Sequence, residues 1–127
     1  METKETKKKK VLLIDDSPET LQLVKEILED HSFICLTAPT AMKGLEVAKK
    51  TRPDLILLDL MLPQMSGFGF VRQLRGNTEL SKIPIVVLTA VGDEEVAREV
   101  IDMGANSYLR KTCGTRELVS TISNYIA

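Results

Sequence analysis

Five residues of the 127-residue chain have types and positions that could do chemistry together. Asp15 and Asp16 follow the apolar run "KVLLID" (10–15), and Asp59 stands inside "PDLILLDLMLP" (53–63). Thr89 falls near the end of "IPIVVLTA" (83–90), and Lys111 ends "NSYLRK" (106–111). A carboxylate placed within a buried strand is costly unless it has partners or a task. Three carboxylates brought together repel one another unless a cation sits among them or they take up protons. Hard oxygen ligands with no His or Cys nearby in the pattern suit Mg²⁺ rather than zinc. A lysine and a hydroxyl then remain to face an anionic group. That set answers the needs of phosphoryl transfer, whose transition state spreads negative charge over equatorial oxygens. A carboxylate can itself be the nucleophile, forming an aspartyl phosphate.

Whether the five meet depends on the elements that carry them. "KVLLID" is a continuous apolar run, as in a strand buried on both faces. Ser17 as N-cap and Pro18 at the first helical position open a helix over 17–30, with Leu21, Val24, Ile27 and Leu28 on one face. A second strand covers 32–38, and a helix runs from Thr40 to about Lys50 with Ala41, Leu45 and Ala48 inward. The third strand is 54–60, followed by a glycine-containing helix over 66–76. The fourth strand is 83–90, Asp93 caps the next helix, and Gly104 stands where that helix terminates. The fifth strand is 106–111, and a helix over 115–126 carries Leu118, Val119, Ile122, Tyr125 and Ile126 on one stripe.

Five strands alternating with five helices predict an α/β fold, a doubly wound parallel sheet with helices on both faces. In such sheets ligands bind outside the carboxyl ends of the strands. Asp15, Asp16, Asp59, Thr89 and Lys111 all belong to that edge.

Composition sets the outer bounds. One domain fits this length, and 43% hydrophobic with 28% charged residues is the make-up of a soluble globular protein. No apolar run approaches the ~20 residues of a membrane span, and no apolar segment follows the basic start as in a signal peptide. The cytoplasm is the expected compartment. The first ten residues hold five lysines and two glutamates, leaving 12 basic and 16 acidic residues beyond them, a balance of −4. That balance argues against a nucleic-acid groove, and residues 1–9 read as a solvated basic tail ahead of a domain over 10–127. Cys35 and Cys113 lack metal-ligand spacing and read as ordinary thiols. His31, at a helix end, and Met42, Met61, Met65 and Met103, as packing, carry no expected chemistry.

The motifs "LLIDDS", "PDLILLDLMLPQMSG", "IVVLTA" and "GANSYLRK", in this order and spacing, resemble the receiver domain of two-component response regulators, as do residues from about Lys10 to Ala127 as a whole. The resemblance implies the flavodoxin-like strand order 2-1-3-4-5 and a phosphorylation-activated switch that takes its phosphoryl group from a histidine kinase or phosphotransfer protein. It implies Asp59 as phosphoacceptor, Asp16 and Asp15 as holders of Mg²⁺, directly and through water, and the backbone carbonyl of Met61 as a further ligand. It implies Lys111 as the partner of the phosphoryl group, Thr89 as the hydroxyl that moves toward it, and Tyr108 as the aromatic that turns inward. Pro63 and Gly67 match the loop after the acceptor. Met61 and Val91, two residues beyond the acceptor and the switch hydroxyl, flank the approach of hydrolytic water. Output by docking through the fourth helix, fifth strand and fifth helix is implied as well, with no separate substrate turned over.

The chain departs from the family at Thr112, where receivers carry a proline that follows the lysine through a cis bond. A cis bond before a non-proline residue costs roughly 2.5–4 kcal/mol, which argues for a trans bond here. The alternative function is a pseudo-receiver, an interaction module that is never phosphorylated; Thr112 favours it and the acidic trio opposes it. An aspartyl phosphatase of the haloacid dehalogenase type would place an acid at Met61. A flavin carrier would want a phosphate loop where Asp15 and Asp16 stand, and no G-x-G-x-x-G follows a strand.

Overall fold

The computed structural model describes residues 8–60, 67–90 and 92–126. Its elements are β1 (Lys10–Ile14), α1 (Pro18–Asp30), β2 (Ile34–Ala38), α2 (Ala41–Thr51), β3 (Leu55–Asp59), α3 (Gly67–Gly76), β4 (Ile85–Thr89), α4 (Glu94–Asp102), β5 (Ser107–Arg110) and α5 (Thr115–Ile126). The five strands are all parallel in the order β2-β1-β3-β4-β5. The expected flavodoxin-like doubly wound sheet is therefore present.

Alternation along the strands divides the core in two. Leu12, Ile14, Ile56, Leu58, Ile85 and Val87 face α2, α3 and α4, where Ala41, Leu45, Ala48, Phe70, Leu74 and Val100 meet them. Val11, Leu13, Leu55, Leu57, Val86 and Leu88 face α1 and α5, where Leu28, Leu118 and Ile122 close over them. Every residue of β3 and β4 is buried. Strands of this kind have to be aliphatic throughout, and these two are, except at Asp59 and Thr89.

Local chemistry explains where the elements stop. Ser17 accepts the Thr20 N–H at 3.3 Å and starts α1; Thr40 accepts from Lys43 N at 3.1 Å and starts α2. α1 ends in a Schellman closure: Ser32 N donates to Glu29 O (3.2 Å) and Phe33 N to Leu28 O (3.0 Å), with Ser32 at φ +70°. Ser32 and Phe33 thus belong to that closure, and β2 begins two residues later than the alternation predicts. Asp93 occupies the N-cap position of α4 but makes no side-chain cap bond. Its backbone is not extended, so its carboxylate does not fold over the first turn. Gly104, at φ +134°, takes the chain out of α4 as expected. Met42 is not packing: it is 61% exposed on α2, outside the stripe formed by Ala41, Leu45 and Ala48.

At the amino-terminal edge of the sheet, Arg75 fastens two connections, α3–β4 and α4–β5. It donates to Gly104 O (2.9 Å), Ser81 O (2.9 Å), Ile83 O (2.8 Å) and Asn106 Oδ1 (3.0 Å). Cys35 on β2 and Cys113 beyond β5 lie at opposite edges of the sheet, and both are free thiols. Four strand spacings of roughly 4.8 Å separate those edges, far beyond the ~7 Å a bridge permits. Burial pushes the Cys35 thiol up to about 11, with Lys25 opposing and Glu29 adding to it.

One glycine sets how closely α2 approaches the strand that leads to Asp15. A Cβ on Gly44 would fall against Ile14 Cδ1 and lie 2.8 Å from Ile14 Cγ1, and Ile14 is fully buried. Alanine gains ~1 kcal/mol of helix propensity, while overpacking a closed core costs roughly 1–3 kcal/mol. Because Ile14 has no room to turn, the second effect is expected to win. Gly44→Ala should lower stability by about 1 kcal/mol in urea unfolding; a stabilised variant would show that α2 can move off the sheet freely.

Candidate functional site

Each site residue sits where an apolar strand runs out at the carboxyl edge. Asp15 follows β1, Asp59 ends β3, Thr89 ends β4 and Lys111 follows β5. The ladders continue into this edge: Asp15 N donates to Ala38 O (3.1 Å), Leu60 N to Leu88 O (3.2 Å) and Lys111 N to Thr89 O (2.7 Å). Gly67 N donates to Leu60 O at 3.4 Å, and a Cβ there would lie 3.2 Å from the same oxygen. The start of α3 thus packs closely on the chain just beyond Asp59.

Asp15, Asp16 and Asp59 form one cluster, with a carboxylate oxygen of each within 4.8 Å of the others. Asp15 and Asp59 are buried and Asp16 is exposed, so the cluster opens to solvent on the Asp16 side. Helix capping does not account for it. Ser17, not Asp16, caps α1, and Asp15 Oδ1 accepts the Ser17 N–H at 2.9 Å.

Lys111 completes the arrangement. Its ammonium lies 3.1 Å from Asp15 Oδ2 and 3.3 Å from Asp59 Oδ2. Burial works against the lysine charge, but the two aspartates outweigh it and hold its pKa above the ordinary lysine value. No cis peptide bond occurs among the described residues, and Lys111 reaches both carboxylates with Thr112 after it. Asp15 Oδ2 is paired by charge but has no hydrogen bond. A fully buried carboxylate oxygen in that condition, beside the buried Asp59 carboxylate and the exposed Asp16, suits a hard dication such as Mg²⁺.

The Thr89 side chain is fully buried, and its hydroxyl donates to Leu109 O at 3.5 Å, toward β5. Tyr108 is half-buried against the core on the α4 side. Met61 with its backbone carbonyl, Pro63, Met65 and Val91 lie outside the described residues, as does most of the basic tail. Sequence reading passed over one further pair beside the site. Arg110 Nε lies 3.0 Å from Glu94 Oε2, and Glu94 Oε1 accepts the Gly92 N–H at 3.2 Å. The acid in the first turn of α4 was the available signal, but nothing local names Arg110 as its partner.

Comparison with known proteins agrees with this geometry. The family model "Response regulator receiver domain" matches residues 11–123. Protein PilH of Pseudomonas aeruginosa is 31% identical over 118 residues, covering 93% of this chain and 98% of that protein. The Hybrid signal transduction histidine kinase D of Dictyostelium discoideum is 36% identical over 114 residues, 90% of this chain but 7% of that protein's length. The crystal structure of chemotaxis protein CheY4 of Vibrio cholerae superimposes with a TM-score of 0.88 at 32% identity, covering 94% of this chain and all of that one.

The lysine's place among the acids has a measurable consequence. Removing one partner of a fully buried ion pair costs roughly 3–5 kcal/mol. The Lys111 side chain keeps 30% of its surface exposed, and solvent screening brings the expected cost of Lys111→Met down to roughly 1–2 kcal/mol. A folded-state pKa raised above the unfolded value stabilises fully below the unfolded pKa and is lost as pH rises through the folded one. In metal-free buffer, the difference between wild type and variant should therefore be constant up to about pH 10, near the ordinary lysine pKa. It should shrink above that. Urea unfolding across this range checks it, and equal stabilities at neutral pH would remove Lys111 from the electrostatics of the cluster.

Proposed function

Because the chain belongs to the response regulator receiver family, the phosphoacceptor switches of two-component signalling, we propose that Asp59 is its phosphorylated residue. The observation that carries this is the meeting of Asp59 with Asp15, Asp16 and Lys111 at one sheet edge. An oxygen of the Asp59 carboxylate attacks the phosphorus of the donor. One O–P bond forms as the donor's N–P bond, in a phosphohistidine, or O–P bond, in an acyl phosphate, breaks. Lys111 stands where a phosphoryl oxygen on Asp59 would develop charge, and its ammonium can follow that charge from the carboxylate to the phosphate. Thr89 exchanges the Leu109 carbonyl for a phosphoryl oxygen, and Tyr108, one strand over, turns inward as it leaves.

Receiver domains bind Mg²⁺ at an acidic pocket; here Asp15, Asp16, Asp59 and the carbonyl of Met61 are the proposed holders. When bound, the ion supplies positive charge against the phosphoryl oxygens. A pseudo-receiver is not favoured, since its one supporting feature, Thr112, leaves Lys111 within ion-pair distance of both acids.

Receiver domains act with histidine kinases or phosphotransfer proteins. For this chain we assign the α4–β5–α5 face to the downstream partner, residues 10–127 to the receiver domain and residues 1–9 to a basic tail. No direct DNA contact and a cytoplasmic location belong to the same proposal. Among the described residues no helix is long and apolar enough to cross a membrane. No separate substrate is turned over: the chemistry is phosphotransfer to Asp59 and its hydrolysis.

Incubation with acetyl phosphate and Mg²⁺ should add one phosphoryl group by intact mass. The adduct should be removed by hydroxylamine, as an acyl phosphate is, and absent without a divalent metal. Asp59→Asn should abolish it. A variant that labels as fast as wild type would falsify the assignment.

Lifetime follows from the two flanking positions. Hydrolysis needs a water held in line with the acyl phosphate. By the family's pattern Met61 and Val91 flank that water's approach, and methionine and valine side chains offer it no strong hydrogen bond. The phosphorylated protein should therefore decay slowly, and Met61→Asn with Val91→Glu should decay faster when phosphate release is followed. Equal or slower decay in the double variant would refute the role given to these positions.

A further inference from the structure

The loop after Thr89 is tied to β5 by one carboxylate. Glu94, the first residue of α4, uses both oxygens: Oε1 accepts from Gly92 N at 3.2 Å and Oε2 meets Arg110 Nε at 3.0 Å. Gly92 holds φ +96°, a left-handed conformation that lets its N–H reach back to Glu94. Arg110 is the ladder partner of Thr89 across β4 and β5 and precedes Lys111 in sequence. Glu94 is therefore joined to both arms of the site, through the chain that follows Thr89 and through the strand end that carries Lys111.

In this arrangement the Thr89 hydroxyl faces β5, donating to Leu109 O. To reach a phosphoryl group on Asp59 it must leave that carbonyl, and any backbone shift at Thr89 that goes with this enters the β4–α4 loop. The next fixed points of that loop are Gly92 and Glu94. We propose that Glu94 is a positioning residue that holds the loop in its resting place, its carboxylate bridging the Gly92 N–H and the Arg110 guanidinium. The proposal rests on Thr89 moving toward phosphorylated Asp59. A contact that exists in one of two conformations shifts the equilibrium between them by its own free energy. Releasing it therefore favours the activated state.

A first-turn acid also complements the helix dipole, and that role has to be separated from the bridge. Glu95, next along and exposed, shares the dipole position and serves as the control. Glu94→Gln keeps an oxygen for Gly92 and loses the charge that holds Arg110; Arg110→Met removes the other partner. Exposed ion pairs shift equilibria by up to about fivefold, and Arg110 has 60% of its side chain exposed. The full chain, with Mg²⁺, is titrated with beryllofluoride, a phosphoryl mimic, while the amide resonances of Thr89 and Gly92 are followed.

Each single variant should reach half-saturation at a beryllofluoride concentration about two- to fivefold lower than wild type. Before beryllofluoride is added, its Thr89 and Gly92 resonances should already be displaced toward their saturated positions. The double variant should match the singles, because the pair acts as one unit. Glu95→Gln should titrate as wild type. A Glu94→Gln protein that titrates as wild type, or single effects that add in the double variant, would overturn the bridge while leaving the phosphoacceptor reading standing. A wild-type protein that binds neither beryllofluoride nor a phosphoryl group would overturn both.

Discussion

The carboxyl edge depends on holding three carboxylates together without letting their repulsion open the fold. Among the described residues, a backbone N–H and an ammonium oppose that repulsion. The Ser17 N–H takes one oxygen of Asp15, and the Lys111 ammonium stands between Asp15 and Asp59. Neither would suffice on a weak scaffold. Below the cluster, β1 and β3 are sealed on both faces, so the strand ends cannot drift apart without exposing aliphatic surface. Each Å² of apolar area exposed by such opening would cost ~25 cal/mol, which opposes separation of the three charges.

The strand order decides which residues can take part. β1, β3, β4 and β5 are consecutive in space, so Asp15, Asp59, Thr89 and Lys111 lie on neighbouring strand ends. β2 shields β1 from the far side and supplies no site residue. α2 has to lie close on β1 for the same reason, and Gly44 over Ile14 sets that distance one residue before Asp15. A change in the packing of α2 therefore reaches the acidic pair through a single peptide unit.

How much of this is legible in the sequence depends on how local each cause is. The sheet, its helices and the positions of Asp15, Asp59, Thr89 and Lys111 follow from apolar runs that stop at polar residues, and both sides of that signal lie within a few positions. The closure of α1 was hidden because Ser32 takes the left-handed position where glycine is the usual sign. The non-extended backbone at Asp93 depends on a loop whose course is not written in its own residues. Met42 was misread because an apolar residue next to an inward stripe looks inward until the helix phase is fixed. The Glu94–Arg110 pair and the four bonds of Arg75 are tertiary matters, joining charges to groups on other elements, and no periodicity announces them.

The same geometry limits how a change at Asp59 can leave the site. A phosphoryl group can bias the fold only through atoms that meet it differently from a bare carboxylate. On the proposed roles those atoms belong to Thr89 and Lys111. The two are not independent: Lys111 N donates to Thr89 O at 2.7 Å, and the Thr89 hydroxyl rests on the carbonyl of Leu109. Motion of one therefore strains the β4–β5 pair. On the β1 side this pair is backed by β3, buried along its whole length, which leaves little freedom there. On the other side it meets solvent along the edge of β5 and is joined to α4 by Glu94. A close-packed core has low compressibility and passes strain on to its neighbours. The α4–β5 side, proposed above as part of the docking face, is the neighbour of that pair that is not enclosed by a fully buried strand.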